Sequence, residues 1–152
     1  MPLSPVENFT SKLIGMPLSH VWRGYGSALF LEFGRLQPRA RRDGTPGNPH
    51  GDMGLMIQWS WRIEDDHSII CGSWSDEDLW EKTFSQLLGN TVTQLSFFGR
   101  LPEIDLSLSN GLHVLSFMTA DGQPEWTIFD RSQAQERWLS FEDGAFKMTE
   151  KP

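Results

Sequence analysis

Cysteine is nearly missing from this chain: Cys71 is the single one among 152 residues. A disulfide framework within the chain is thereby excluded, and a lone thiol suits a reducing compartment. Positive charge is also scarce. Thirteen Lys and Arg stand against 20 Asp and Glu, for a formal net charge of −7. Such a surface repels polyanions and argues against nucleic acid as a partner. Long apolar runs are absent as well: no stretch approaches the ~18 residues that a membrane span needs. The opening MPLSPVENFTSKLIG lacks the basic-then-apolar order of a signal peptide. The expectation is a soluble cytoplasmic protein, away from membranes.

Motifs that carry chemistry are lacking too. CGSW at 71–74 shares letters with the papain-type signature, but the second cysteine, which would be the nucleophile there, is missing. Cys71 also precedes the nearest helix by several residues, too far for amide dipoles to activate its thiol. His20, His50, His67 and His113 form no HExxH pair and have no CxxC partner, so no metal site is expected. GSWS lacks the closing glycine of a nucleophile elbow. GYGSALF runs into a strand, whereas a phosphate loop feeds a helix N-terminus. The adjacent acids Asp65/Asp66, Asp76/Glu77/Asp78 and Glu103/Asp105 do not make a facing pair for general acid–base work. The reading is non-enzymatic, with no cofactor and no metal.

What is present is alternation. In LMIQWSWRIEDD, Leu55, Ile57, Trp59, Trp61 and Ile63 share one parity while Gln58, Ser60, Arg62 and Glu64 share the other. Period two over this span predicts one strand, 55–64, with both indoles turned inward and Arg62 outward. Similar runs predict strands at 28–33, 68–72, 103–109, 112–118 and 125–130, with a last hairpin around Glu142-Asp143-Gly144. Asp121-Gly122 and Asn110-Gly111 supply turn signals.

One helix is predicted over 75–88. Ser75 is placed as N-cap, Asp76, Glu77 and Asp78 suit the positive dipole end, and Trp80, Phe84, Leu87 and Leu88 form an apolar stripe. Trp74 and Leu79 have the spacing of a hydrophobic staple, and Gly89 stops the helix. On either side the sequence repeats an order: Gly15 matches Gly89, Leu18 and Val21 match Val92 and Leu95, and Gly34 matches Gly111. This suggests an internal duplication of a three-stranded meander about a pseudo-twofold axis. Between the second and third strands, the loop 35–52 gathers Arg35, Arg39, Arg41 and Arg42 among prolines and glycines. Its composition predicts disorder, or order gained on contact.

The order Gly-x-x-Leu/Val-Ser/Thr-x-Val/Leu at 15–21 and 89–95, the strand end Trp61-Arg62-Ile63-Glu64, and the acidic helix after Gly72-Ser73-Trp74-Ser75-Asp76 resemble small uncharacterised bacterial β-rich domains. Some domains of that kind are immunity proteins that neutralise toxins. The resemblance carries no functional residues across.

The expected fold is β-rich α+β in a single domain 1–152. It comprises seven to nine mostly antiparallel strands in a curved sheet, roll or sandwich, one packed helix, and a flexible start over 1–12. The expected function is an intracellular protein-binding module with a basic protein as its partner, while a homodimer stays open. The alternative is a small-molecule-binding protein or enzyme, with a pocket between the sheet and loop 35–52 that joins Arg62 to a loop arginine. Candidate binding residues are Arg23, Arg62 and Glu64, together with Arg39, Arg41 and Arg42.

Overall fold

A computed structural model describes residues 2–151. It is β-rich, with two antiparallel sheets and two helices. Strands β1 (Leu18–Arg23), β2 (Leu29–Phe33) and β3 (Met53–Ile57) form a meander, as do β6 (Val92–Phe98), β7 (Glu103–Leu108) and β8 (His113–Ser116). The remaining strands are β4 (Trp61–Glu64), β5 (Ile69–Gly72), β9 (Trp126–Asp130), β10 (Arg137–Glu142) and β11 (Ala145–Glu150). One sheet runs β1-β2-β3-β9-β10-β11 and the other β5-β4-β8-β7-β6. A single apolar core lies between them, because alternate residues of both sheets face it: Leu29, Leu31 and Phe33 from one side, Ile63, Ile104 and Val114 from the other, all 0% exposed.

The eleven strands exceed the seven to nine read from the sequence, and one of the additional strands arises because the run 55–64 is not one strand. It breaks at Gln58–Ser60, and its two parts belong to different sheets. Ser60 donates to Phe117 O at 2.5 Å and Gln58 N to Glu125 O at 2.8 Å, so the break is the crossover from one layer to the other. Parity survives the break: Trp61 is buried and Arg62 exposed, while Trp59, at the crossover, is only half-buried. The turn signal at Asp121-Gly122 likewise lies in a crossover, since β8 and β9 sit in separate sheets.

The crossovers exchange strands between the halves. After the first meander the chain leaves its sheet, and β4 pairs with β8; after the second, β9 pairs with β3. Each half thus completes the other's sheet. The contacts where the halves meet are reciprocal. Leu18 N donates to Asn90 O at 2.8 Å and Val92 N to Met16 O at 2.9 Å; Gly15 N donates to Val92 O at 2.8 Å and Gly89 N to Leu18 O at 2.9 Å. Gly34 N bonds Pro17 O and Ser109 N bonds Thr91 O, both at 2.9 Å, so in hydrogen bonding Gly34 corresponds to Ser109 and not to the Gly111 matched in the sequence. Both first strands carry a register shift, after Leu18 and after Val92. The repeat extends to Trp61-x-Ile63-x-Asp65 and Trp126-x-Ile128-x-Asp130. Trp61 Nε1 donates to Ser27 O at 2.7 Å and Trp126 Nε1 to Pro102 O at 2.8 Å, in each case the carbonyl just before the second strand of the same half.

Helix α2 spans Glu77–Leu87 with Asp76 at its cap position, one residue later than the Ser75 cap implies. Ser75 Oγ accepts from Gly72 N at 2.9 Å and serves the preceding turn instead. Trp80, Phe84 and Leu87 face the core as the stripe predicts, but Leu88 is exposed. A second helix, α1 (Pro5–Ser11), occupies the segment expected to be flexible. Ser4 Oγ caps it by accepting from Glu7 N at 3.1 Å, Pro5 suits its first turn, and Phe9 and Leu13 anchor it in the core. No helix among the described residues is long and apolar enough to cross a membrane.

Candidate functional site

The turn between β5 and α2 is stitched to the sheet from both sides. Ser73 N donates to Trp61 O at 2.9 Å, Ser75 N to Gly72 O at 2.9 Å, and Trp80 Nε1 to Gly72 O at 3.0 Å. With Ser73 and Ser75 held down, the residue between them is lifted outward. Trp74 is 91% exposed. The staple expected between Trp74 and Leu79 is therefore not made; beneath the turn lie Trp61, Trp80 and Phe84, whose packed rings fill the position a staple would take.

Two concavities flank Trp74. One, of about 370 Å³, is lined by Trp61, Arg62, Ile69, Trp74 and Phe117, among others. The other, of about 440 Å³, is lined by Arg23, Gly26, Ser27, Trp74, Glu77 and Trp80. Arg23 and Arg62 thus stand on opposite sides of one exposed indole. Arg23 lies over the Trp80 ring at 4.6 Å and pairs with Glu77 at 2.9 Å; that hydrogen bond lifts its pKa further and lowers that of Glu77. Arg62 Nε pairs with Glu64 Oε2 at 3.0 Å. Tyr25, fully exposed between Gly24 and Gly26, and the half-exposed Ile69 and Phe117 extend the surface. Both arginines being paired, the net sign of the region comes from the exposed Asp76 at the cap and Asp78 and Glu81 of α2, which outnumber the exposed Lys82, and is negative.

The loop arginines lie elsewhere. The loop 35–52, expected to be disordered, takes a hairpin-like course with bridges Gln37↔His50 and Ala40↔Pro46 and a turn closed by Arg41 N to Thr45 O at 2.7 Å. It is pinned at Gly51, where an added Cβ would sit 2.3 Å from Phe33 O. Arg39 and Arg41 line a small recess with Trp22 and His50, and Arg42 is exposed. The structure does not bring any of them to Arg62, so the expected joint pocket of Arg62 and a loop arginine is not formed. Gln58, grouped in the sequence with Arg62 and Glu64, sits in the crossover instead.

Beside the loop lies a network the sequence reading missed. Glu32, 1% exposed, accepts from Trp22 Nε1 at 2.9 Å, Gly51 N at 3.1 Å and Arg131 Nη1 at 2.9 Å. Arg131 Nε lies 3.3 Å from Glu136 Oε1. A charged residue at an outward strand position gave no sign of this, because its partner comes from a distant strand.

One further grouping has the composition of a nucleophilic triad. Ser107 Oγ lies 2.9 Å from His113 Nδ1, and His113 Nε2 lies 3.7 Å from Asp66 Oδ1. Ser107 is in mid-strand, paired with Gln94 on one side and His113 on the other. Its neighbouring amides are committed to the ladders, which leaves no free pair of N–H groups to receive an oxyanion. Among the described residues no three His, Cys, Asp or Glu come together as a metal site. No protein-family model, curated protein or solved structure matches the chain.

Proposed function

We propose that the chain is a non-enzymatic, intracellular protein-binding module, of the kind that neutralises a toxin by occupying it, and that it docks through the surface around Trp74. The observation that carries this reading is the 91% exposure of an indole held out by a stitched turn and flanked by Arg23 and Arg62. Water-exposed Trp, Tyr and Arg are the residues whose burial at interfaces contributes most, each about 2 kcal/mol or more at a hot spot. The partner is a basic protein that offers an apolar side chain to the Trp74 concavities, because the acidic first turn of α2 and a net charge of −7 favour encounter with positive charge. We also propose that the two halves descend from one duplicated unit, which the reciprocal hydrogen bonds and the repeated Trp-x-Ile-x-Asp support.

Affinity capture from source-cell lysate, run side by side with wild-type protein and Trp74→Ala, tests the docking face. A basic protein retained by the wild type and lost with the variant is the expected result. An identical set of captured proteins for both forms refutes the assignment of the face.

A further inference from the structure

Loop 35–52 is the main departure from the repeat. The first half joins its second and third strands through it, whereas the second half makes the same connection with Ser109–Leu112. What the longer loop adds is a pocket of about 300 Å³ at the end of the first sheet, lined by Arg35, Arg39, His50, Asp52, Arg131 and Ser132, among others.

Glu32 accepts from three donors, and Glu136 faces Arg131 Nε and accepts from Trp138 Nε1; Asp52, the one acid in the pocket wall, accepts from Arg35 N at 2.9 Å through Oδ2. Among the described residues neither the Arg35 nor the Arg39 guanidinium has a carboxylate within salt-bridge distance. Arg131 Nε is buried without a hydrogen bond, and the hydrogen bonds that Arg131 side-chain atoms make all leave from Nη1. Arg39 donates to His50 Nδ1 at 2.9 Å, which fixes the neutral ring with its proton on Nε2, a further donor. A recess of this size with the Arg35 and Arg39 guanidinium groups free of acids at its rim suits an oxyanion, which an arginine fork can grip with two parallel bonds.

We propose that this pocket binds a small organic anion through a carboxylate or phosphate group, with Arg35 and Arg39 closing over it from the loop and Arg131 fixed at its base. The site is separate from the Trp74 surface and stands or falls independently of it.

Backbone amide shifts of the full chain, followed by NMR during titration with inorganic phosphate, succinate and the uncharged succinamide, provide the test. The amides of Arg35, His50 and Ser132 are expected to move with phosphate, succinate or both, and not with succinamide. Response to one anion alone identifies its group as the one bound. Arg35→Ala and Arg39→Ala each weaken that binding by about tenfold, the usual scale for one charged hydrogen-bonding contact. Arg100→Ala, an exposed arginine elsewhere, leaves binding unchanged. An equal response to succinamide refutes the anion assignment while leaving a pocket for uncharged ligands. Indifference to the two loop substitutions, or silence with all three probes, overturns the site itself.

Discussion

Glu32 holds three donors on a carboxylate that is 1% exposed, so its charge is acceptable only while those donors stay in place. Glu32→Ala leaves the Arg131 guanidinium, 14% exposed, without its nearest counter-charge. The expected loss is about 3–5 kcal/mol in denaturant unfolding, the scale for breaking one side of a buried ion pair. His50 answers to pH. Burial first, then repulsion from Arg131, Arg39 and Lys151 against attraction from Glu136, lowers its pKa from 6.5 to about 4. The unfolded chain takes up that proton at the higher pKa and the folded chain does not. This contribution to stability is therefore whole above about pH 6.5 and is lost as the pH falls toward 4. His50→Asn should flatten the stability profile across that window, and an unchanged slope would show that another group controls it. Asp130 acts at lower pH. Burial alone would raise its pKa, but Lys12 at 2.6 Å and the Ser132 donors outweigh it and hold the carboxyl below its usual range. Its share of stability, present above the ordinary carboxylate pKa, disappears as acid titrates it below that value.

At the scale of elements, Gly15 and Gly89 hold matching left-handed conformations, φ 87° and 83°, just before the two first strands, and nothing lies within 4 Å of an added Cβ at either. Alanine at either position meets backbone strain alone, so both substitutions should destabilise alike, by about 1–2 kcal/mol in thermal or denaturant unfolding. A large difference between them would show that the two junctions are not mechanically equivalent. Burial parity was legible in the sequence because alternation reports which way a side chain faces: Leu55, Ile57, Trp61 and Ile63 are all buried. What alternation does not encode is which sheet a residue faces from, so the crossover at Gln58–Ser60 was read as continuous strand. The first helix was not legible, since seven residues give too few turns for a stripe to emerge. Trp74 was assigned to a staple because spacing alone satisfies that motif; two serine hydroxyls committed to other bonds decide against it. The Trp-x-Ile-x-Asp repeat stood in the sequence and is the signal by which strand exchange between the halves could have been foreseen. Of the residues that the sequence singles out, Arg23 and Arg62 flank the same exposed indole. Arg131 was not legible, because only the three-dimensional arrangement sets it beside Glu32.

On the scale of the whole molecule, the Trp74 face and the core are decoupled. Trp74→Ala removes a side chain that is 91% exposed and should leave stability within about 0.5 kcal/mol of wild type while abolishing capture of the proposed partner. A large loss of stability would place the indole in the core's service instead. With a net charge of −7, association with a basic partner should slow as salt is added, most steeply up to about 0.1 M, where the screening length is ~10 Å.

The mutual completion of the sheets also sets a condition on synthesis. Leu55 must wait for Ile128, and Ile63 for Val114, before either strand has its second neighbour. A nascent chain carries these open edges until β8 and β9 have been made, and pairing over such separations is slow. A product truncated before β8 consequently leaves one edge of β3 and one edge of β4 open to pairing with another chain.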